Sequence, residues 1–308
     1  MKHITKLSPP QSFIDWYNLN NATLQATCEK GDDIWSCLPS QVKEDLNNRL
    51  LKEQGHICAY CGIRIGKEDF LTFCIEHFLR KGDPRYKHLT LNYTNLLGCC
   101  KISQQTGKEQ TIAFPIPEAP HLKILQDIVD YLEITIENLK ENNKGFKKMM
   151  VSTDLEIVNS QKPAGHEIKA LIYKANIHHC DDTKFDDESV IINPTENADC
   201  ENYFGYDKGL NTKNEPISKV FCKTIAHQQV VENTIDILNL NATNLCLKRV
   251  EAYEAGVLFV NLLLEQPELV ESIEAIETLI QEDIYQINDD KLEPFCFVIA
   301  SVVRSSFS

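Results

Sequence analysis

The sequence predicts an α+β fold, mainly helical, organised around a small core that cysteines hold together. Three observations lead there. Between Leu71 and Glu76, apolar Leu71, Phe73 and Ile75 alternate with Thr72, Cys74 and Glu76, the two-residue period of a strand with one buried face. Ahead of it stands Cys58-Ala59-Tyr60-Cys61-Gly62, flanked by short apolar segments between Ile57 and Ile65, which suits a hairpin whose turn is a metal knuckle. From Pro216 onward apolar residues recur at three and four spacing over Ile217 to Leu238, Ala242 to Leu264, Pro267 to Ile284 and Asp290 to Val303, as in a helical bundle.

Taken in order, residues 1–55 read as an irregular or short-helical lead-in ending in a helix. Val42, Leu46, Leu50 and Leu51 mark that helix, with Ser40 as N-cap and Gly55 as stop. Residues 56–215 carry the motifs. Within them 101–177 reads as an insertion containing an amphipathic helix, with Leu125, Ile128, Val129, Leu132, Ile136 and Leu139 on one stripe. Tyr203 to Leu210 looks like a hairpin turning at Lys208-Gly209. Residues 216–308 form the acidic helical region.

Charge narrows the function. The chain of 308 residues has a formal net charge of −14, so its overall field does not attract nucleic acid. The distribution is uneven: residues 43–90 hold nine basic and seven acidic side chains, whereas 251–300 hold twelve acidic ones and only Lys291. The first region can face a phosphate backbone and the second cannot. Without a run of about 18 apolar residues or a signal-peptide core, the expectation is a cytoplasmic protein that does not enter a membrane. In that compartment the twelve cysteines point to metal or catalysis rather than a disulfide framework. Cys28, Cys74, Cys222 and Cys296 read as buried small hydrophobes.

Cys58 and Cys61 have the spacing of zinc ligands and also of a redox pair, but the redox reading needs a helix N-terminus in a thioredoxin-like unit, which the hairpin pattern is not. A tetrahedral structural zinc needs two further soft ligands. Cys100 and Cys180 are the best candidates, with Cys99, His178 and His179 as alternatives. Such a pin would hold Glu76, His77, Asn95 and Asp181 in place. Phosphodiester hydrolysis needs a base near neutral pKa and a hard cation to neutralise developing charge; histidine suits the first and carboxylate oxygen the second. In an ideal strand Glu76 and His77 face opposite ways, so a shared phosphate requires the strand to end or twist there.

The order of these pieces resembles the HNH, or ββα-metal, endonucleases: Cys-x-x-Cys, an acidic-His pair at a strand end, Asn-Leu leading into cysteine, then Cys-Asp-x-x-Lys. It is most similar to the HNH subunit (PtuB-like) of Septu-type anti-phage defence systems, also found as an effector in some retrons. The shared text is CAYCGIRI, IEHFLRKG, YTNLLGCC, HHCDDTK, IINP, YFGYDKG and ILNLNATNL leading to Arg249. The resemblance implies a small zinc-stabilised ββα-metal core with an inserted helical segment and a C-terminal helical bundle. It implies His77 as general base, Glu76 and Asp181 (or Asp182) on a catalytic Mg2+ or Mn2+, and Asn95 holding the loop and the histidine. Lys184 would steady the helix or contact phosphate, and Cys58, Cys61, Cys100 and Cys180 would hold structural Zn2+. It further implies DNA or RNA as substrate and an ABC/SMC-like ATPase subunit (PtuA-like) as partner, with a retron RNA–DNA in some systems. Leu79-Arg80-Lys81 departs from the family's more usual Arg-Pro-Lys, and the 101–177 segment is longer than that family's spacing suggests.

Overall fold

The computed structural model describes residues 1–29, 34–66, 72–101, 111–113, 167–169, 180, 184, 190–211 and 214–307. The stripe from Leu125 to Leu139, together with His178, His179, Asp181 and Asp182, lies outside the described residues. The fold is α+β. Helix α1 (Gln11–Glu29) precedes α2 (Ser40–Glu53), which buries Val42, Leu46, Leu50 and Leu51, the predicted stripe. The lead-in, expected as irregular or short-helical, carries a 19-residue helix. Pro39, not Ser40, takes the N-cap position; its fixed φ starts the helix without a side-chain cap. Gly55 stops it at φ +58, where glycine carries no steric penalty.

Strand β1 (Thr72–His77) pairs antiparallel with β2 (Leu96–Lys101), with Phe73 opposite Cys100 and His77 opposite Leu96. The side chain of Gln54, at the end of α2, is buried against this hairpin. Its amide donates to Gly98 O at 2.8 Å and to Ile57 O at 3.0 Å, and its oxygen accepts from Gly98 N at 2.7 Å. One glutamine thus joins α2, the knuckle and β2. A short ladder pairs β3 (Thr111–Ala113) with β4 (Glu167–Lys169).

Further along, β5 (Phe204–Leu210) pairs with β6 (Pro216–Cys222). The expected turn at Lys208-Gly209 is corrected here: both residues sit inside β5, opposite Ser218 and Ile217, and the connection falls at 211–215. Asn211 closes that connection, its Oδ1 accepting from Glu215 N at 2.9 Å, and Asn214 takes φ +59. The helix expected from Ile217 is also corrected. Residues 216–222, rich in β-branched and aromatic side chains, pair with β5, and helix α3 begins at Gln228 (Gln228–Ile237).

Helix α4 (Thr243–Leu264) matches its prediction. The single helix expected over 267–284 is a turn at Pro267–Leu269, then α5 (Ile273–Leu279) capped by Ser272, then a wider turn at Ile280–Ile284. The last helix, α6 (Cys296–Ser306), starts later than Asp290 because Asp289, Asp290 and Phe295 all take positive φ. No helix among the described residues is long and apolar enough to cross a membrane.

One hydrophobic core runs from Met1 through the knuckle, β2 and β5 to α6. A second, smaller one packs Phe13, Ile34, Leu46 and Leu50 against Leu91 and Leu96. Arg249 is buried to 2 % exposure, donating to Ser218 O at 3.3 Å and to Leu240 O, so its charge is met by carbonyl dipoles. The C-terminal helix closes on the knuckle. Phe295 N donates to Gly62 O at 3.0 Å, and a Cβ added at Gly62 would lie 2.2 Å from the Phe297 ring. Gly62 also has φ +76.

Gly62→Ala therefore meets both a backbone and a packing penalty and is expected to lower unfolding free energy by about 2–4 kcal/mol. Gly82, with nothing within 4 Å of an added Cβ, is the control. Gly82→Ala should stay within about 0.5 kcal/mol of the parent in the same urea titration.

Candidate metal centre and the adjoining histidine site

Four cysteines from three places in the chain converge. The chain enters the knuckle through His56 at φ +58 and folds back by Ile65 N to His56 O at 2.9 Å, Cys58 N to Ile63 O at 2.8 Å and Gly62 N to Cys58 O at 3.0 Å. This tight turn aims Cys58 and Cys61 inward. Ala59 N donates to Gly98 O at 3.0 Å, which docks the knuckle on β2 and brings up Cys100. Cys180 adopts φ +59 and its N–H donates to Leu238 O at 2.8 Å, so the end of α3 fixes the fourth thiol.

The four Sγ atoms of Cys58, Cys61, Cys100 and Cys180 all lie within 4.8 Å of one another and all four residues are buried. Cys58 Sγ to Cys180 Sγ is 3.8 Å, and Cys61 Sγ to Cys100 Sγ is 3.7 Å. A tetrahedral zinc with Zn–S of about 2.3 Å requires sulfur–sulfur edges of about 3.8 Å. The donor set therefore fits a metal ion such as zinc, with no position left for water. Cys99 is outside this set. It sits opposite Cys74 in register, and its thiol hydrogen-bonds Cys58 without joining the four sulfurs that could share one ion.

Protonation points the same way. Burial pushes the Cys58 and Cys61 thiols up, yet hydrogen bonds from Cys100 and Cys180 outweigh it: Cys58 falls well below the usual thiol range and Cys61 to about 6. Cys100 and Cys180 rise well above it. Four buried thiols cannot all ionise together, and a divalent cation removes that conflict.

The other end of the same hairpin carries the histidine. His77 Nε2 lies 3.0 Å from Thr90 O, and because a carbonyl only accepts, Nε2 holds the proton and Nδ1 is the basic nitrogen. Trp35 meets the His77 ring edge-on at 4.8 Å between centroids. Asn95, buried, clamps the chain that follows. Its Oδ1 accepts from Leu79 N at 2.7 Å, its Nδ2 donates to Leu79 O at 2.9 Å and Leu89 O at 3.3 Å, and its carbonyl accepts from Phe78 N at 2.9 Å. It positions the loop rather than reaching toward a substrate.

Glu76, one residue before, forms a buried ion pair with Lys184, whose Nζ also donates to His77 O at 3.0 Å and Phe78 O at 2.5 Å. Among the contacts described, the Glu76 side chain meets Lys184 and the His77 ring meets Thr90 and Trp35. Regular pairing continues through His77, so the alternation expected of a strand persists up to the point where β1 ends. Among the described residues, the four cysteines are the only group of three or more metal-ligating side chains close enough to share an ion. Asp181, expected beside Glu76, lies outside the described residues.

Trp35, Thr90 and Gln54 contribute to this arrangement without a sequence motif. Thr90 acts through its backbone, and Trp35 through a tertiary contact that no spacing encodes. A scan against protein-family models and a search of curated proteins each returned no match.

Cys58→Ser and Cys180→Ser should each lose bound zinc, whereas Cys99→Ser should keep one zinc per chain, measured by atomic emission on the purified protein. Acidification should release the metal, since protons compete for the thiolates.

Proposed function

We propose that the chain is a metal-dependent HNH-type endonuclease that hydrolyses phosphodiester bonds of DNA or RNA as the effector of an anti-phage defence complex. One observation carries this reading. His77 is held as the Nε2–H tautomer at the end of a hairpin whose opposite end enters a four-cysteine centre, which is the arrangement that the sequence resemblance implies. In it His77 takes the proton of the attacking water at Nδ1. Asn95 and the Thr90 carbonyl fix the ring and the loop behind it, and Cys58, Cys61, Cys100 and Cys180 hold Zn2+. A Mg2+ or Mn2+ ion held by Glu76 and Asp181 would neutralise charge building on the phosphate.

The acidic span from 251 to 300 makes the C-terminal region unsuited to phosphate and suited to docking a protein. The resemblance suggests that partner is an ABC/SMC-like ATPase, with a retron RNA–DNA in some systems.

The Lys184–Glu76 pair favours a second reading, a zinc-stabilised interaction module that has kept the fold and lost cleavage, because it engages the carboxylate expected on the catalytic metal. Plasmid nicking or RNA cleavage by the chain purified with its ATPase, with magnesium or manganese added, separates the two. On the nuclease reading His77→Ala lowers cleavage by about 10²–10⁴-fold while zinc content stays unchanged. Absence of divalent-dependent cleavage in the intact complex supports the interaction module. Asn95→Ala should retain zinc, lose about 1–3 kcal/mol of stability by unpairing buried backbone groups, and reduce cleavage through kcat rather than KM.

A further inference from the structure

We propose that Lys184 is a positioning residue that couples occupancy of the four-cysteine centre to the geometry of His77. The inference rests on reading Cys58, Cys61, Cys100 and Cys180 as a metal centre and is independent of whether the protein cleaves nucleic acid.

The coupling runs through few atoms. Lys184 N donates to Cys180 O at 3.1 Å, so the backbone carrying the ammonium is bonded to the backbone of a metal-ligating cysteine. At the other end Nζ is met by Glu76 Oε1, His77 O and Phe78 O, so the three hydrogens of the ammonium have three oxygen acceptors. These acceptors belong to three consecutive residues at the end of β1, centred on His77. The lysine and glutamate side chains are 5 % and 9 % exposed, so water is a poor substitute for either partner. The Phe78 ring lies 5.0 Å from the same Nζ.

Cys180 meets the other three cysteines through its thiol, and its backbone N–H is held by the Leu238 carbonyl. A metal ion fixes that thiol against Cys58, Cys61 and Cys100. Without the ion, four crowded thiols within 4.8 Å of one another no longer share a cation, and Cys180 loses the bond that would fix its thiol to the knuckle. Movement of Cys180 withdraws the backbone support of Lys184, and the end of β1 loses the ammonium that gathers its carbonyls. Trp35, edge-on to the His77 ring, reports the result.

The test uses the full chain carrying Trp16→Phe, which leaves Trp35 as the sole indole of the two in the sequence. Zinc per chain, far-ultraviolet circular dichroism, emission maximum and acrylamide quenching are measured together. Stripping zinc from this parent should shift Trp35 emission to the red and raise quenching while most secondary structure remains. Lys184→Met should reproduce the stripped parent's emission and quenching while keeping one zinc per chain, and Lys184→Arg, which keeps a cation and its donors, should move both back toward the zinc-loaded parent.

Zinc-loaded Lys184→Met with parental emission and quenching overturns the proposal, as does loss of zinc from that variant together with the signal. Should Lys184→Met fail to fold, Glu76→Gln takes its place. A retained zinc with a red-shifted Trp35 supports the coupling, and an unchanged Trp35 overturns it. Because no step measures cleavage, failure of the nuclease reading leaves these outcomes intact, and failure here leaves His77 able to serve as base.

Discussion

Four sulfur atoms packed at tetrahedral spacing in a water-excluded position are the constraint on which the rest of the front half depends. Left to themselves they form a poor core: each thiolate needs a proton from a neighbour, so two pKa values fall and two rise. A divalent cation would convert that frustration into four bonds. The gain would be structural: a five-residue turn, one position in β2 and a cysteine in left-handed backbone conformation, already joined by a shared core and a few backbone hydrogen bonds, would be fixed at one point. A small hairpin has too little apolar area to hold such pieces together, and metal ligation can supply the difference.

The histidine site is built from backbone atoms. Thr90 fixes the His77 tautomer with its carbonyl, Asn95 reads two stretches of main chain through one amide, and Lys184 collects the carbonyls of His77 and Phe78. Each hydrogen bond contributes about 1 kcal/mol net, but leaving any of these buried groups unpaired costs more. Precision at His77 therefore comes from buried polar groups that are costly to unpair, with Trp35 limiting the ring from the side. Glu76 enters the same economy as the buried counter-charge of Lys184.

How much of this was legible in the sequence depended on range. The strand ending in Glu76-His77 and the helix bearing Val42, Leu46 and Leu50 were readable because each pattern repeats locally. The four thiols were readable as types and spacings, with Cys100 separated from Cys99 only once the sulfur positions were known. Lys208-Gly209 misled because a glycine inside a strand carries the same local signal as a turn, and the pairing with Ile217 and Ser218 is what distinguishes them. Residues 216–222 misled for the complementary reason: their apolar residues match a helical spacing, and only a partner strand makes them β. Trp35 on His77 and Gln54 on Gly98 left no local trace, since both are contacts across the fold.

The closure of Phe295 and Phe297 over Gly62 has a consequence in time as well as space. Gly62 and its aromatic cover stand far apart in the sequence, and a loop this long is entropically costly to close and closes late in folding. A fragment that stops short of Phe297 carries the cysteines and the histidine but leaves the turn without the ring that packs on it.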